Sequence, residues 1–428
     1  MAHNPADHPG RAKNSATSHS HNRGRRPLPG PVAYALAAYL VGLGLFGSVA
    51  PSPLYETYME LWSFSTLTLT LIYATYSFGV LATLLLAGSV SDDLGRRPVL
   101  LAAVGTLMVS TLLFIIASSA AWLFVARGLQ GVATGAAVGT ASAALLDFAG
   151  TRGPAKVSLT NAVATTAGTG LGILTTAVLV QAAWAPLVVP YLVFLGLLAV
   201  AFAGSYAMSE PVESTRRFRP RLERPHVPAG VRGPFILASL AVLSSWSAGG
   251  LFFSLGPSLG AVLFESTNTV VSVLGIVVLL GTAAVAQLAF GYTAPWLGAT
   301  LGSIALAAGI LAIAVATHLG SGATYVVGCS VAGFGFGMAF LGGLRNLLAA
   351  IPPRHRASVM SAFYVVAYAS LSIPAVIAGL VVKDLGLQRT FQIFGAAVAV
   401  IALAAAVMAL ASRGASARVS RLRPGGGS

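Results

Sequence analysis

The sequence predicts an all-α integral membrane protein of about twelve transmembrane helices, arranged as two six-helix pseudo-repeat bundles. Three observations carry that expectation. First, 56% of the 428 residues are hydrophobic and only 8% charged, with a mean hydropathy of +0.83. A soluble domain carries about 25% charged residues, so this chain could not clothe a water-facing surface. Second, the apolar residues fall in runs of about 20 or more, the length that crosses a bilayer core as helix. Third, glycine-bearing segments recur in the two halves of the chain. No segment shows the roughly ten-residue alternation of a membrane barrel.

By length, the first half holds spans at roughly 32–58, 65–91, 96–117, 120–148, 153–182 and 184–208. The second half holds roughly 232–262, 266–294, 295–318, 320–351, 354–383 and 386–412. Arg25-Arg26 followed by an apolar stretch and Ser48-Val49-Ala50 resembles a cleavable signal peptide. The long apolar core and Pro51 argue for a retained first helix instead. Gly42, Gly44, Pro51, Pro53, Pro257 and Pro374 lie inside spans. Bundled membrane helices tolerate such residues, and small side chains let backbones approach closely. The expected domains are a disordered tail at 1–31, a first bundle at 32–208, a linker at 209–231, a second bundle at 232–412 and a disordered tail at 413–428.

The repeat is visible in spacing. Gly88-x-x-x-Asp-x-x-Gly95 recurs as Gly291-x-x-x-Pro-x-x-Gly298. Gly131 and Gly135 correspond to Gly333 and Gly337, and Ala155-x-Val157 to Ala357-x-Val359, at offsets of about 202 residues. Agreement at nearly one offset on either side of a polar linker favours duplication.

Charge sets orientation. An even span count puts both termini and the linker on one side. That side collects Arg25 and Arg26, Arg96 and Arg97, Arg152 and Lys156, the linker arginines from Arg216 to Arg232, Arg345, Arg354 and Arg356, and the C-terminal arginines. The other side has Lys383 and Arg389, with Arg127 left inside a span. The positive-inside rule makes the basic side cytoplasmic. The formal charge of +14 is therefore topological, aided by anionic lipid. Nucleic acid is not an expected partner, because the tails lack interleaved aromatics and a folded module. The lone Cys329 rules out a disulfide within the chain. His3, His8, His19 and His21 follow no metal-ligand spacing, and no phosphate loop or catalytic triad is evident. The expectation is no enzyme activity, no cofactor and no metal.

The hairpin at 88–100 is the most specific segment. Gly88, Asp92, Gly95, Arg96 and Arg97 resemble the loop motif between helices 2 and 3 of the major facilitator superfamily, G-x-x-x-D-x-x-G-R-[RK]. Arg127-Gly-Leu-Gln130-Gly131 resembles that superfamily's helix-4 motif, R-x-x-Q-G. With the hydropathy pattern, the resemblance covers about residues 32–412. It implies that Asp92 meets the start of helix 11, which opens here at Pro352-Pro353, where a carboxylate gains from the helix dipole. Arg96, or Arg97, would bridge to Asp147. Such a latch would hold the halves together on the inner side and release on opening. The second copy has Pro295 and Ala299 where charges would sit, which implies a single latch.

The resemblance also implies a central cavity lined by helices 1, 4, 7 and 10. Tyr55, Arg127, Gln130, Ser245, Trp246, Phe253 and Phe336 are the candidates, with Asn161 and Tyr364 secondary. Arg127, inside an apolar helix, is costly unless it faces protein or water; snorkelling to the outer surface is the bland alternative. If protons drive transport, Glu56 is the expected titrating acid, although a hydrated outer glutamate is the simpler reading. A helix-5 antiporter motif ending G-P-x-x-G-G is not matched, since Ile173 stands at the proline position. The expected function is secondary transport of a small organic solute by a monomer in the cell (plasma or inner) membrane. The apolar, aromatic inventory favours export of a hydrophobic or amphipathic compound over handling of a sugar. The alternatives are an importer of the same fold, or a multi-spanning sensor or membrane enzyme without transport.

Overall fold

The computed structural model describes residues 28–87, 90–211, 226–352 and 355–422, and among them every regular element is helical. The expected all-α membrane fold is present. Among the described residues eleven helical segments are long and apolar enough to cross a membrane, and a further apolar helix is shorter. Gly88 lies outside the described residues, as do most of the linker and the N-terminal tail.

In the first half the elements are α1 (Gly30–Val49), α2 (Tyr55–Trp62), α3 (Thr66–Ala87), α4 (Val90–Leu94), α5 (Arg96–Ile115), α6 (Ala120–Asp147), α7 (Pro154–Ala182) and α8 (Val189–Ala207). In the second they are α9 (Arg232–Phe264), α10 (Thr269–Ser272), α11 (Leu274–Phe290), α12 (Pro295–Leu319), α13 (Gly322–Ala350), α14 (Arg356–Leu385) and α15 (Leu387–Leu422). Four expected boundaries are corrected. The first span is not one helix: Pro51 and Pro53 cannot donate to carbonyls four residues back, so α1 stops, a 3₁₀ turn covers Ser52–Leu54, and α2 carries on to Trp62. The sixth begins at Val189, not 184. The eighth divides, with the Asn268 side chain capping α10 through Val270 N and Val271 N before α11 begins. The last helix runs past 412 to Leu422, where an unstructured tail was expected. By contrast Pro257 and Pro374 sit within continuous α9 and α14.

The repeat is a matter of packing as well as spacing. A Cβ on Gly131 would meet the Tyr76 carbonyl oxygen at 2.1 Å, and one on Gly333 would meet the Leu279 carbonyl oxygen at 2.1 Å. Gly135 faces Val80 in the same way as Gly337 faces Ala283. The glycines correspond between halves, and so do the residues they touch: each pair brings α6 onto α3, or α13 onto α11. Only glycine permits so close a backbone approach. Between halves, α3 packs on α14 and α7 on α11. Gly250 approaches the Leu371 carbonyl within the second half, and Gly379 approaches Thr70 across the halves.

The basic loops gather on one face of the bundle. There the α4–α5 loop, the end of α6 and the exit of α8 meet, and His226 N donates to the Ser358 carbonyl at 3.4 Å. On the opposite face, Thr269 N donates to Gln181 Oε1 across the halves at 3.0 Å, and Tyr58 Oη donates to Tyr191 Oη at 3.1 Å. A continuous apolar core joins the halves toward that opposite face, from Leu54, Tyr58 and Ile72 to Leu251, Leu259 and Ile276.

Candidate functional site

Two cavities lie between the halves and share Tyr368. The central one, of about 70 Å³, has walls of different character. The first half contributes the hydroxyl-bearing residues Ser48, Tyr73, Tyr76, Thr165, Thr166 and Thr169, of which Ser48 and Thr169 donate to carbonyls of their own helices. The second half presents Trp246, Phe253, Phe336, Phe340 and Tyr368. Trp246 is braced by Phe340 at 5.7 Å and by the edge of Tyr368 at 5.2 Å between ring centroids, so that wall is a fixed aromatic plate. The second cavity, of about 370 Å³, runs between α3, α6 and the first turns of α14. It reaches Asp92, whose side chain is 63% exposed, and so opens toward the basic face.

Arg127 sits behind the hydroxyl wall and is fully buried. Its Nε donates to the Tyr55 hydroxyl at 2.9 Å, and Nη2 donates to the same oxygen. Nη1 donates to the Ser48 carbonyl at 2.6 Å and to Gln130 Oε1 at 2.8 Å. Gln130 Nε2 in turn donates to the Gly47 carbonyl at 2.9 Å. The helix break explains the last bond. Pro51 has no N–H for the Gly47 carbonyl, so Gln130 supplies one. Arg127 and Gln130, one turn apart on α6, therefore clamp the end of α1 where its own ladder fails. The rings of Tyr55, Tyr73 and Tyr76 surround the guanidinium with centroids 5.5, 5.8 and 5.5 Å from Cζ. Aromatic faces partly replace the water that such a charge has lost.

On the basic face, Arg96 Nε donates to Asp147 Oδ2 at 2.9 Å. Its Nη1 reaches Ser91 Oγ at 2.7 Å and also pairs with Asp92. Gly95 stands before α5 at φ 97°, a backbone conformation that favours glycine. Glu210, just after α8, accepts from Arg96 N at 2.7 Å and Arg97 N at 2.9 Å, occupying the free N–H groups that open α5. Arg97 itself lies over the ring of Tyr206 at 5.2 Å. Among the described residues Asp92 pairs with Arg96; Pro353 and Arg354, at the start of helix 11 that the resemblance implies as its partner, lie outside the described residues, and Asp92 and the first turns of α14 both stand on the wall of the larger cavity.

The other expected residues are divided. Trp246, Phe253 and Phe336 line the central cavity and Tyr364 the larger one. Tyr55, Arg127 and Gln130 form the clamp behind the wall. Ser245 is buried and spends its hydroxyl on the Ala241 carbonyl at 2.7 Å, away from either cavity. Asn161 accepts from Ser142 Oγ at 2.8 Å, also off the cavity walls. Glu56 is half-buried on α2. Sequence reasoning passed over Tyr73, Tyr76, the threonines of α7 and Glu210. Two tyrosines one turn apart in a span, at the level of a buried arginine, were a usable signal. Glu210 offered none beyond its place after a span.

Two pseudo-repeated helical halves around a central cavity define a secondary-transport type of membrane bundle. The family profile described as Major Facilitator Superfamily matches residues 32–375, and the chain belongs to that family. No curated relative matches it to narrow the solute further.

Proposed function

We propose that this member of the family carries a small organic solute across the cell membrane by alternating access, with the basic face cytoplasmic and export of an amphipathic compound as its direction. The observation that supports this most is the pair of cavities. The halves are packed together on the face opposite the basic loops, while on the other side of Tyr368 from the central cavity a second cavity lined by both halves reaches exposed Asp92. That is the arrangement of a carrier open to the side bearing the arginines. The reverse state would close Asp92 onto the start of α14, and the Arg96–Asp147 pair would hold the loop in register for it.

In this reading Asp92 biases an equilibrium between states and does not touch the solute. Asp92→Asn should slow transport in proteoliposomes while leaving solute affinity largely intact. Unchanged transport at equal protein density would sink the latch role. If protons drive transport, Glu56, next to the arginine-binding Tyr55, is the acid we assign to the coupling. Glu56→Gln should then remove any dependence of uptake on a pH gradient while facilitated exchange continues.

A further inference from the structure

We propose that the carried solute is an amphipathic organic anion, with its negative group against the hydroxyl wall of the first half and its aromatic or apolar body against the Trp246 plate. This deepens the transporter reading and rests on it. The argument begins with charge. Arg127 is fully buried, yet among the described residues neither of the two ion pairs involves it; its partners are a phenol, a carbonyl and an amide oxygen. These neutral acceptors hold the guanidinium without cancelling its charge, and in an interior of low dielectric its potential extends over several ångströms.

The charge lies one residue behind the cavity. Tyr73 and Tyr76 each show one side to Arg127 and also line the cavity, and Ser48, whose carbonyl Arg127 holds, lines it too. No acidic residue of the described chain lines the central cavity to oppose that field. The Tyr76 hydroxyl is buried beside the Ser48 and Thr134 hydroxyls of the first half. The facing wall offers only aromatic rings and methylenes at Trp246, Phe253 and Phe336, which suits the apolar end of the same molecule. A cationic amphiphile would meet the same field as repulsion, with no carboxylate there to receive it.

Three naphthyl probes of one skeleton test this on the full-length protein in lipid nanodiscs by equilibrium titration: naphthaleneacetate, naphthaleneacetamide and naphthylethylammonium. The acetate should bind at least tenfold more tightly than the ammonium. Arg127→Gln should reduce that ratio below threefold, whereas Arg127→Lys should keep it. Because Arg127→Gln removes the clamp on α1, it could fail to fold. Ser48→Asp, which puts a carboxylate on the cavity wall, then serves independently and should invert the preference toward the ammonium. Equal or tighter binding of the ammonium to the unaltered protein overturns the proposal, as does binding of none of the three, or an anion preference that survives Ser48→Asp. Reporter pairs across the two faces, measured on the same samples, separate this from the transporter reading. Binding without charge preference in a protein whose faces still open reciprocally sinks only the anion proposal. An anion preference in a protein whose faces stay fixed sinks transport.

Discussion

The two halves of the molecule place different chemistry at equivalent positions. The offset of about 202 residues that superposes Gly131 on Gly333 also superposes Arg127 on Cys329. In the first half a buried arginine clamps a broken helix behind a hydroxyl wall. In the second a buried cysteine lies beside Tyr325 in an apolar core, and the corresponding first helix, α9, passes Pro257 without breaking. The loops differ likewise. The α4–α5 loop is fastened by ion pairs that reach the surface, Arg96 with Asp92 and Asp147. Its counterpart after α11 is fastened from the other direction: Arg345 on α13 donates to the Gly291 carbonyl and, at 3.1 Å, to the Thr293 carbonyl. These bonds lie within the second half and form no second latch between the halves. In the second half the cation stands on the helix and is held by backbone carbonyls, where the first half has a loop cation held by carboxylates. Arg96 is buried but Asp92 is exposed, and a pair with an exposed partner is exchanged more cheaply than a cation held on backbone carbonyls. The halves thus differ in what holds the equivalent loop, side-chain carboxylates in one and backbone carbonyls in the other.

The comparison can be broken at several points. The largest effect belongs to the shared framework. Gly131→Ala and Gly333→Ala should each cost about 3 kcal/mol, because a Cβ must displace backbone, and the two losses should be similar. Unequal melting shifts of the two variants would show that the repeats do not share this packing. Next comes the clamp. Tyr55→Phe removes the acceptor for two guanidinium donors and should lower stability by about 2 kcal/mol, while Cys329→Ser at the equivalent place should leave the central cavity's binding unchanged. Thermal unfolding in detergent and titration together check both. Arg345→Met should cost about 1.5 kcal/mol and leave transport rate per folded molecule intact, since Arg345 lines neither cavity. The smallest effect is at Glu210. Glu210→Gln should change stability by only about 0.5 kcal/mol, the scale of a charge at a helix N-terminus, and is read best as altered protection of the Arg96 and Arg97 amides in hydrogen exchange.

Much of this was legible in the sequence because hydropathy and glycine act over single helices. Span positions follow from run length, and Gly131 and Gly135 announce close approach. The break after α1 was marked by Pro51 and Pro53, yet a run-length criterion passes over it, since the chain stays apolar to Tyr55. The R-x-x-Q-G string was recognisable, but its work of replacing the hydrogen bond that Pro51 cannot make depends on α6 packing against α1, a relation between distant segments. The cavity walls were the least legible part. Which side of a membrane helix faces a cavity is set by crossing geometry when lipid and protein faces are both apolar. Trp246 and Phe336 were expected there and Thr166 and Tyr368 were not, although all four line it. Ser245 shows the converse, a polar residue whose hydroxyl is consumed by its own helix.

The central claim, that the two halves rock about the central cavity under the control of Asp92, is tested most directly by distance measurements between spin labels. In a Cys329→Ser background, one pair at Gln181 and Thr269 spans the closed face, and one pair at Asp93 and Met360 spans the basic face. Asp92→Asn should lengthen the mean distance on the basic face and sharpen the short distance on the other. Distances that stay the same in both pairs, or that move in the same direction, would contradict the account.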